Sequence, residues 1–379
     1  MYTNSGDVID YKKIDRSVQG IMDLGLFKSV KYHIQESYSP NEPDNLHTEL
    51  IITVVEKIYF LIIPRVKLRD NQLGLGIQLK WDNVFGLNHN LKWLIERKGE
   101  TENIKEFRHR FRYNYTNVLS SDYNLNFALI NENTVDQLTN LSYQNRLDDT
   151  FEIRLFKWLN DIHKKCGKYA SIGGGVRQRV HETLAGDYID DSAVNFLSFT
   201  IGSKKVHNFL YHRKGRHYGY DLEVSDPLLG SDTSYLKNIL FYRSYYTFDS
   251  RPGENLNIQA QLGHSTDDIL GDKAFKLDFR NDLRGYDRDS YQGNSMLLLN
   301  IEYMMAIDNY PTVRYLGFID IGNTYDSFAE VKDELFHFGI GFGIRWKIKL
   351  FVNVDLRFDA GYGLDDENYQ FTFGTRHAF

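Results

Sequence analysis

Cysteine is nearly absent: Cys166 is the only one in 379 residues, so no internal disulfide can form and no cysteine cluster can hold a metal. Proline is scarce, six in all, which leaves long stretches free to run as regular backbone. No apolar run approaches the ~18 residues that a membrane-spanning helix needs, and hydropathy alone would place the chain in water. Excess positive charge is lacking as well. The formal net charge is −6, whereas a nucleic-acid binder usually shows a basic face. Signatures of nucleotide and hydrolytic chemistry do not occur: there is no G-x-S-x-G elbow, H-E-x-x-H or P-loop. The run Gly173-Gly174-Gly175 sits in a strand pattern without the helix that phosphate binding needs, and the twelve histidines show no metal-ligand spacing. These absences point to a protein that is not an enzyme and needs no cofactor. No secretion signal is visible at Met1 either, and the chain reads as a mature or trimmed form with an added initiator Met.

Aromatics, by contrast, are abundant: 26 Tyr, 25 Phe and 4 Trp, or 15% of the chain. Many aromatics and many short polar turns, with no helical span, fit a transmembrane β-barrel, where lipid-facing and lumen-facing residues alternate and cancel in any hydropathy window. The alternation is explicit. In Phe336–Trp346 the residues Phe336, Phe338, Ile340, Phe342, Ile344 and Trp346 share one face, and His337, Gly339, Gly341, Gly343 and Arg345 share the other. Phe107–Tyr115 sets Phe107, Phe111, Tyr113 and Tyr115 against Arg108, Arg110, Arg112 and Asn114, and Leu350–Tyr362 sets Leu350, Val352, Val354, Leu356 and Phe358 against Asn353, Asp355, Arg357 and Asp359. One arginine facing lipid at mid-bilayer costs roughly 2–4 kcal/mol, so a strand with three must turn them to the lumen. A soluble sandwich would seldom sustain such a face over strand after strand. Sixteen candidate strands follow, starting near residues 57, 73, 88, 103, 122, 149, 168, 193, 206, 234, 254, 294, 312, 335, 349 and 367. Shared among them, Lys57 to Phe379 leaves about twenty residues per strand and connection, which suits a tilted spanning strand.

Residues 1–56 read differently. Ile14, Val18, Ile21 and Leu24 recur at helical spacing, Gly25 ends that helix, and two strand-like runs, Ser29–Glu36 and Thr48–Glu56, flank the Pro/Asn/Asp-rich segment Ser39–Asn45. A helix on a hairpin is a small α+β unit, too small to bury a stable core alone. The expected organisation is therefore this unit over 1–56 and an all-β barrel of sixteen antiparallel strands over 57–379. With the unit in the periplasm, connections after odd strands face outward. The longest late one, about Ser265–Gly293, follows strand 11 and is long enough to be functional.

That connection contains Leu283-Arg284-Gly285-Tyr286, which resembles the Arg-Gly-Phe/Tyr motif at the tip of the sixth loop in Omp85 proteins. The next strand carries Asn300-Ile301-Glu302-Tyr303, and the one after it Gly317-Phe318-Ile319-Asp320-Ile321-Gly322, similar to the family's Phe-x-Asp-x-Gly segment. The terminal run with Phe371, Phe373 and Phe379 looks like the terminal-aromatic β-signal of outer-membrane barrels, and Asp82-Asn83-Val84-Phe85-Gly86 resembles the family's first periplasmic turn. Leu24–Val30 with Val54-Val55-Glu56 looks like the second half of a POTRA domain. The resemblance spans nearly the whole chain, and its strength lies in the ordered set of motifs.

The resemblance implies that the loop folds into the lumen and that Arg284, with Gly285 and Tyr286, binds the barrel wall. The residues agree with it. When Leu297, Leu299, Ile301 and Tyr303 face lipid, Glu302 points inward; Asp320 can do so on the neighbouring strand, beside Gly322, and two carboxylates near one guanidinium make charge-assisted hydrogen bonds. Gly339, Gly341 and Gly343 either leave room for the loop to dock or only let the sheet curve. At the seam between first and last strands, Pro64 cannot donate a ladder hydrogen bond and Gly374 lies near the end of strand 16. Pro64 belongs either to a weakly zipped edge or to the linker just before it. A weak seam would admit a client strand by β-augmentation. The Arg108/Arg110/Arg112 stripe reads as a lumenal charge lattice ahead of a site that steers anions.

The expected function is assembly of outer-membrane barrels or passage of polypeptide across the outer membrane of a Gram-negative bacterium. Expected partners are outer-membrane lipid, unfolded polypeptide clients, and accessory lipoproteins or periplasmic chaperones, with no nucleic acid. Two alternatives stay open: the membrane anchor of a patatin-like lipase, and a passive pore.

Overall fold

The computed structural model describes residues 2–374 apart from 40–41, 70–71, 98–105, 140–141, 161–165, 210–211, 249–250, 252, 278–281, 288–289, 308–309, 333–334, 349 and 352–354. Phe379 therefore lies outside the described residues. The first element is helix α1 (Tyr11–Asp23), capped by Asp10, whose carboxylate accepts from the N–H groups of Lys12 and Lys13 at 2.9 and 3.3 Å. It ends where Gly25 takes a φ of 77°, a left-handed turn that glycine adopts without strain. Ile14 is buried, and α1 lies on the first strand of the antiparallel hairpin β1 (Phe27–Ser39) and β2 (Glu42–Glu56). Both strands run further than their side-chain pattern implies: Ser39 is opposite Glu42, inside the segment expected to be a linker. Backbone pairing in a hairpin continues past the point where burial stops dictating side chains.

The remaining strands form one antiparallel sheet. In chain order they are β3 (Phe60–Arg69), β4 (Gln72–Val84), β5 (His89–Arg97), β6 (Phe107–Tyr115), β7 (Tyr123–Thr139), β8 (Ser142–Trp158), β9 (Gly167–Thr183), β10 (Tyr188–Asn208), β11 (Arg213–Ser225), β12 (Tyr235–Thr247) and β13 (Asn255–Ser265). A three-residue pair, β14 (Phe275–Leu277) and β15 (Tyr291–Gly293), interrupts the sheet within one long loop. The wall then resumes with β16 (Ser295–Ile307), β17 (Tyr310–Tyr325), β18 (His337–Lys347), β19 (Asp355–Gly363) and β20 (Asn368–Gly374). The sheet has 16 strands, each hydrogen-bonded to its sequence neighbour in the wall. Among the described residues no ladder links β20 back to β3.

Side-chain burial follows the period-two expectation. Along β18, Phe338, Ile340, Phe342, Ile344 and Trp346 are exposed on the outside, while Gly339, Gly343 and Arg345 are buried within. Among the described residues no helix is long and apolar enough to cross a membrane; the strands of the wall turn their apolar faces out and their ionic faces in, the arrangement of a transmembrane β-barrel. On β6 and β7, Arg108 and Arg110 both reach Glu132, at 2.9 and 2.5 Å, so these two join the lumenal ion lattice.

The wall is uneven. β10 has 21 residues and β7, β8 and β9 have 17 each, against 10 in β3 and seven in β20. At about 3.3 Å per residue, the wall opposite the β3/β20 junction is the taller by far.

The N-terminal unit is pinned to one end of the barrel, its base. Asp23 accepts from the Asn208 backbone N–H and pairs with His207 Nδ1, both at 2.9 Å, at the end of β10. Lys57 donates its N–H to the Leu26 carbonyl and its Nζ to that of Gly25, each at 3.0 Å. Ile58 then donates to Leu350 at 2.9 Å, which seats the start of β3 beside the β18–β19 connection.

Candidate functional site

The loop between β13 and β16 starts at the opposite end, the rim, and enters the lumen. Leu283, Arg284 and Tyr286 are at most 2% exposed. Arg284 Nε and Nη2 donate to the two oxygens of Asp320 at 2.6 and 2.7 Å, a bidentate pair, and its backbone N–H reaches the same carboxylate at 3.1 Å. Nη1 donates to Glu302 at 2.6 Å and lies 3.7 Å from Asp359, and the guanidinium stacks 3.5 Å above the ring of Phe318.

The register of four strands assembles these groups. Asn300 on β16 lies opposite Asp320 on β17, Glu302 lies opposite Phe318, and β18 and β19 bring Arg345 opposite Arg357. Arg345 donates to Asp359 at 2.5 Å and to Glu302 at 3.2 Å; Arg357 Nε donates to Asp359. Asn300 donates to Asp320 at 2.8 Å and to the Asp282 carbonyl at 2.6 Å, and Gln259 supports Asn300 at 3.1 Å. Three buried guanidiniums, on Arg284, Arg345 and Arg357, thus face three buried carboxylates, on Glu302, Asp320 and Asp359. Isolated, each would be costly to bury; as a balanced, hydrogen-bonded set the desolvation cost is offset.

Glycines let the backbone come this close. Gly285 has a φ of 104°, and a Cβ there would lie 2.4 Å from backbone atoms of Tyr362 and Gly363. A Cβ at Gly339 would lie 2.1 Å from the Arg284 carbonyl oxygen. Gly341 and Gly343 do not meet the loop: Gly341 makes room for the Phe318 ring and Gly343 for the Asp359–Arg345 pair. The second glycine surface under the loop is on β19, at Gly361 and Gly363. Gly322 meets Leu277 of β14 rather than the arginine.

Tyr286 completes the tip. Its hydroxyl donates to Asp365 at 2.8 Å and accepts from the Phe338 N–H at 3.1 Å, and Asp365 also lies 3.0 Å from His337 Nδ1. Burial would raise the Asp365 carboxyl, but the Tyr286 hydroxyl and the His337 ring hold it below its ordinary range. Leu283 and Tyr286 pack with Phe275, Leu277, Met296 and Leu298 into one apolar cluster.

The first half of the loop crosses to the far wall. Leu270 packs on Val194, Phe196 and Tyr235, and its carbonyl accepts from Arg179 at 2.5 Å. Asp272 pairs with Arg179 at 3.0 Å and lies 3.8 Å from Arg146. The loop is therefore a strut fixed at both sides of the lumen. Asp272→Asn should weaken the far anchor, leaving the Leu270 contacts to hold it. Because Asp272 is about a third exposed, the stability loss should stay within ~1 kcal/mol, while single-channel recordings should show larger, noisier conductance than wild type.

At the β3/β20 junction, Pro64 sits inside β3, opposite Ile77, and not in a preceding linker. Gly374 is the last described residue of β20, opposite Arg357, with open space where a Cβ would be. Phe371 and Phe373 point outward, 65% and 75% exposed.

Arg345, Arg357 and Asp359 are members of the cluster that lie outside the motifs, and Asn300 lies within one, where the resemblance gives it no role. Alternation turns Arg345, Arg357 and Asp359 inward, but only the cross-strand register shows that they converge. No group of His, Cys, Asp and Glu suited to a metal occurs among the described residues.

Comparison with known proteins follows the same lines. The Omp85 superfamily domain matches residues 67–379. The outer membrane protein assembly factor BamA of Nitratidesulfovibrio vulgaris is 23% identical over 95% of this chain, which spans 46% of that protein's length. Among solved structures, BamA from Haemophilus ducreyi lacking POTRA domains 1–3 superposes with a TM-score of 0.60 at 13% identity, covering 98% of this chain and 79% of that one. CdiB from Escherichia coli gives 0.62 at 14% identity, with 98% and 70% covered.

Proposed function

The chain belongs to the Omp85 superfamily, and from that premise we propose that it inserts β-barrel proteins into an outer membrane or passes polypeptide across it, working at the junction between β3 and β20. The observation that carries this reading is that junction. Every other neighbouring pair in the wall is joined by a ladder, whereas β3 and β20 share none among the described residues. β3 contains Pro64, which cannot donate, and β20, with seven described residues, is the shortest strand of the wall. An edge of this kind offers unpaired N–H and C=O groups to an incoming strand. The lumen is crossed by the anchored loop, which favours passage or release at the wall over a passive pore. In this reading α1 with β1 and β2 is the C-terminal half of a POTRA domain on the periplasmic side, where clients, chaperones and accessory lipoproteins would arrive. Arg284, Gly285 and Tyr286 with their wall partners hold the loop that braces the barrel beside the junction. No cofactor takes part.

The test is a covalent lock. With Cys166 replaced by Ser, cysteine pairs are scanned across β3 (61–65) and β20 (370–374), and assembly of a barrel client is followed in proteoliposomes. Oxidation should slow assembly at least tenfold, and a reductant should restore it. An oxidised, verified cross-link with an unchanged assembly rate would overturn the reading.

A further inference from the structure

Inside the lumen, away from the loop, the wall carries a feature that the ion cluster does not use. Phe156 and Trp158 on β8, Tyr169 on β9, His217 on β11 and Phe241 on β12 form a continuous band of rings, with neighbouring centroids 5.0 to 5.8 Å apart. All five line one cavity of about 430 Å³. The Tyr169 hydroxyl and His217 Nε2 are 2.8 Å apart and fix each other's orientation. The wall beneath is cut back to seat the rings: a Cβ at Gly202 would lie 2.7 Å from the Tyr169 ring, and one at Gly219 would lie 2.8 Å from Phe241. A band of aromatic side chains on the inner face of the wall, lining a cavity together with charged groups, is the reverse of the polar interior that a barrel usually shows, and such surfaces mark binding sites.

Two cations line the same cavity without an acidic partner among the described residues. Lys204 lies opposite His217 and pairs with no carboxylate, and Arg243 donates only to Gln259, at 2.7 Å. The third, Arg154, is already matched by Glu152 at 2.8 Å. Asp221 is the one carboxylate in the lining, so the recess keeps a positive excess beside its rings. Its position adds a second argument. Lys204 is four residues before Asn208 on the same strand, and Asn208 and His207 are where Asp23 fixes the N-terminal unit. The recess therefore sits just inside the end of the barrel that this unit flanks.

We propose that this recess is a polypeptide-binding subsite that takes an aromatic side chain with a carboxylate next to it, the ring stacking in the Phe156–Phe241 band and the carboxylate meeting Lys204 and Arg243. Asp221 is left to accept an N–H from the same extended segment. The proposal rests on the client-handling reading given above, and deepens it by assigning a place where a client is held before it reaches the wall junction.

The test uses the full chain folded in detergent and a dye-labelled short peptide containing a Phe-Asp pair, followed by fluorescence anisotropy. Changing the peptide's Asp to Asn, or its Phe to Ala, should weaken binding at least tenfold. The double variant Lys204→Gln/Arg243→Gln should bind the Phe-Asp and Phe-Asn peptides alike, with a heat-shift gel confirming that the barrel is folded. On the wild-type chain, a photoreactive phenylalanine analogue in place of the peptide's Phe should cross-link to β8, β9, β11 or β12. Equal binding of all three peptides, an undiminished Asp preference in the double variant, or cross-links confined to other strands would each overturn the proposal. Client assembly in proteoliposomes is measured separately. Assembly without peptide binding defeats the subsite alone; peptide binding without assembly defeats the assembly reading and leaves the subsite standing.

Discussion

Arg284→Ala should be the most damaging single substitution in the lumen. It removes one of three buried cations and leaves Glu302, Asp320 and Asp359 facing only Arg345 and Arg357. Breaking a buried pair from one side costs on the order of 3–5 kcal/mol, because the remaining charge stays desolvated. The loop tip also loses its bidentate hold on Asp320, so proteolysis should cut near residues 283–287 in the variant and not in wild type. Denaturant unfolding in detergent, read by a heat-shift gel, measures the stability loss. Arg284→Lys should fall between the two, since an ammonium keeps the charge but cannot reproduce the planar fork. Combining Arg284→Ala with Asp320→Asn should recover part of the loss, because the charge balance of the wall is restored. A double mutant as unstable as the sum of its singles would show that the two residues are not coupled.

The next largest effect is expected at Gly339. A valine there drives its Cβ into the Arg284 carbonyl oxygen, which it would approach to 2.1 Å. Either the loop or β18 must move. Overpacking of this kind typically costs 1–3 kcal/mol, and displacement of the tip adds loss of the ion cluster. Gly339→Val should therefore reproduce the protease sensitivity of Arg284→Ala with every charge in place. Gly317→Ala is the matched control: its Cβ would meet nothing within 4 Å, and neither stability nor cleavage should change. If Gly339→Val kept the loop protected, the close approach of β18 to the tip would not be what holds it.

Much of the architecture was legible because membrane crossing imposes a strict period of two. The sixteen expected starts each fall at or near an observed strand, and the even count matches the sheet. The misplacements have a common cause. β8 begins at Ser142 and not near 149, because Ser142–Asp148 stands in the taller part of the wall and the alternate positions that carry Tyr143 and Leu147 are interrupted by Asn145 and Asp149, so alternation gives only a weak signal there. The expected start near 206 fell inside β10, which runs on to Asn208; the next strand starts at Arg213. Val206 is buried at the base, near where the N-terminal unit docks, and its apolar character imitates a new strand. At the site, Arg284, Glu302 and Asp320 could be named from motif and facing. Asp359, Arg345 and Arg357 were legible only as inward residues. Which of them meet depends on how far neighbouring strands slide past each other, and side-chain alternation does not encode that offset. The glycines show the same limit: Gly339 and Gly341 share a face, yet only the first meets the loop.

The equal numbers of guanidiniums and carboxylates around Arg284 bear on how the loop could ever leave. The tip carries one positive charge with it, so withdrawal leaves the inner surface of β16–β19 with one anion in excess, enclosed by protein rather than water. That surface then invites a replacement: a proton, a metal cation, or a basic residue of a passing chain. Retraction and cation uptake are thus a single coupled event, and how readily the strut moves should depend on what positive species the surroundings can supply.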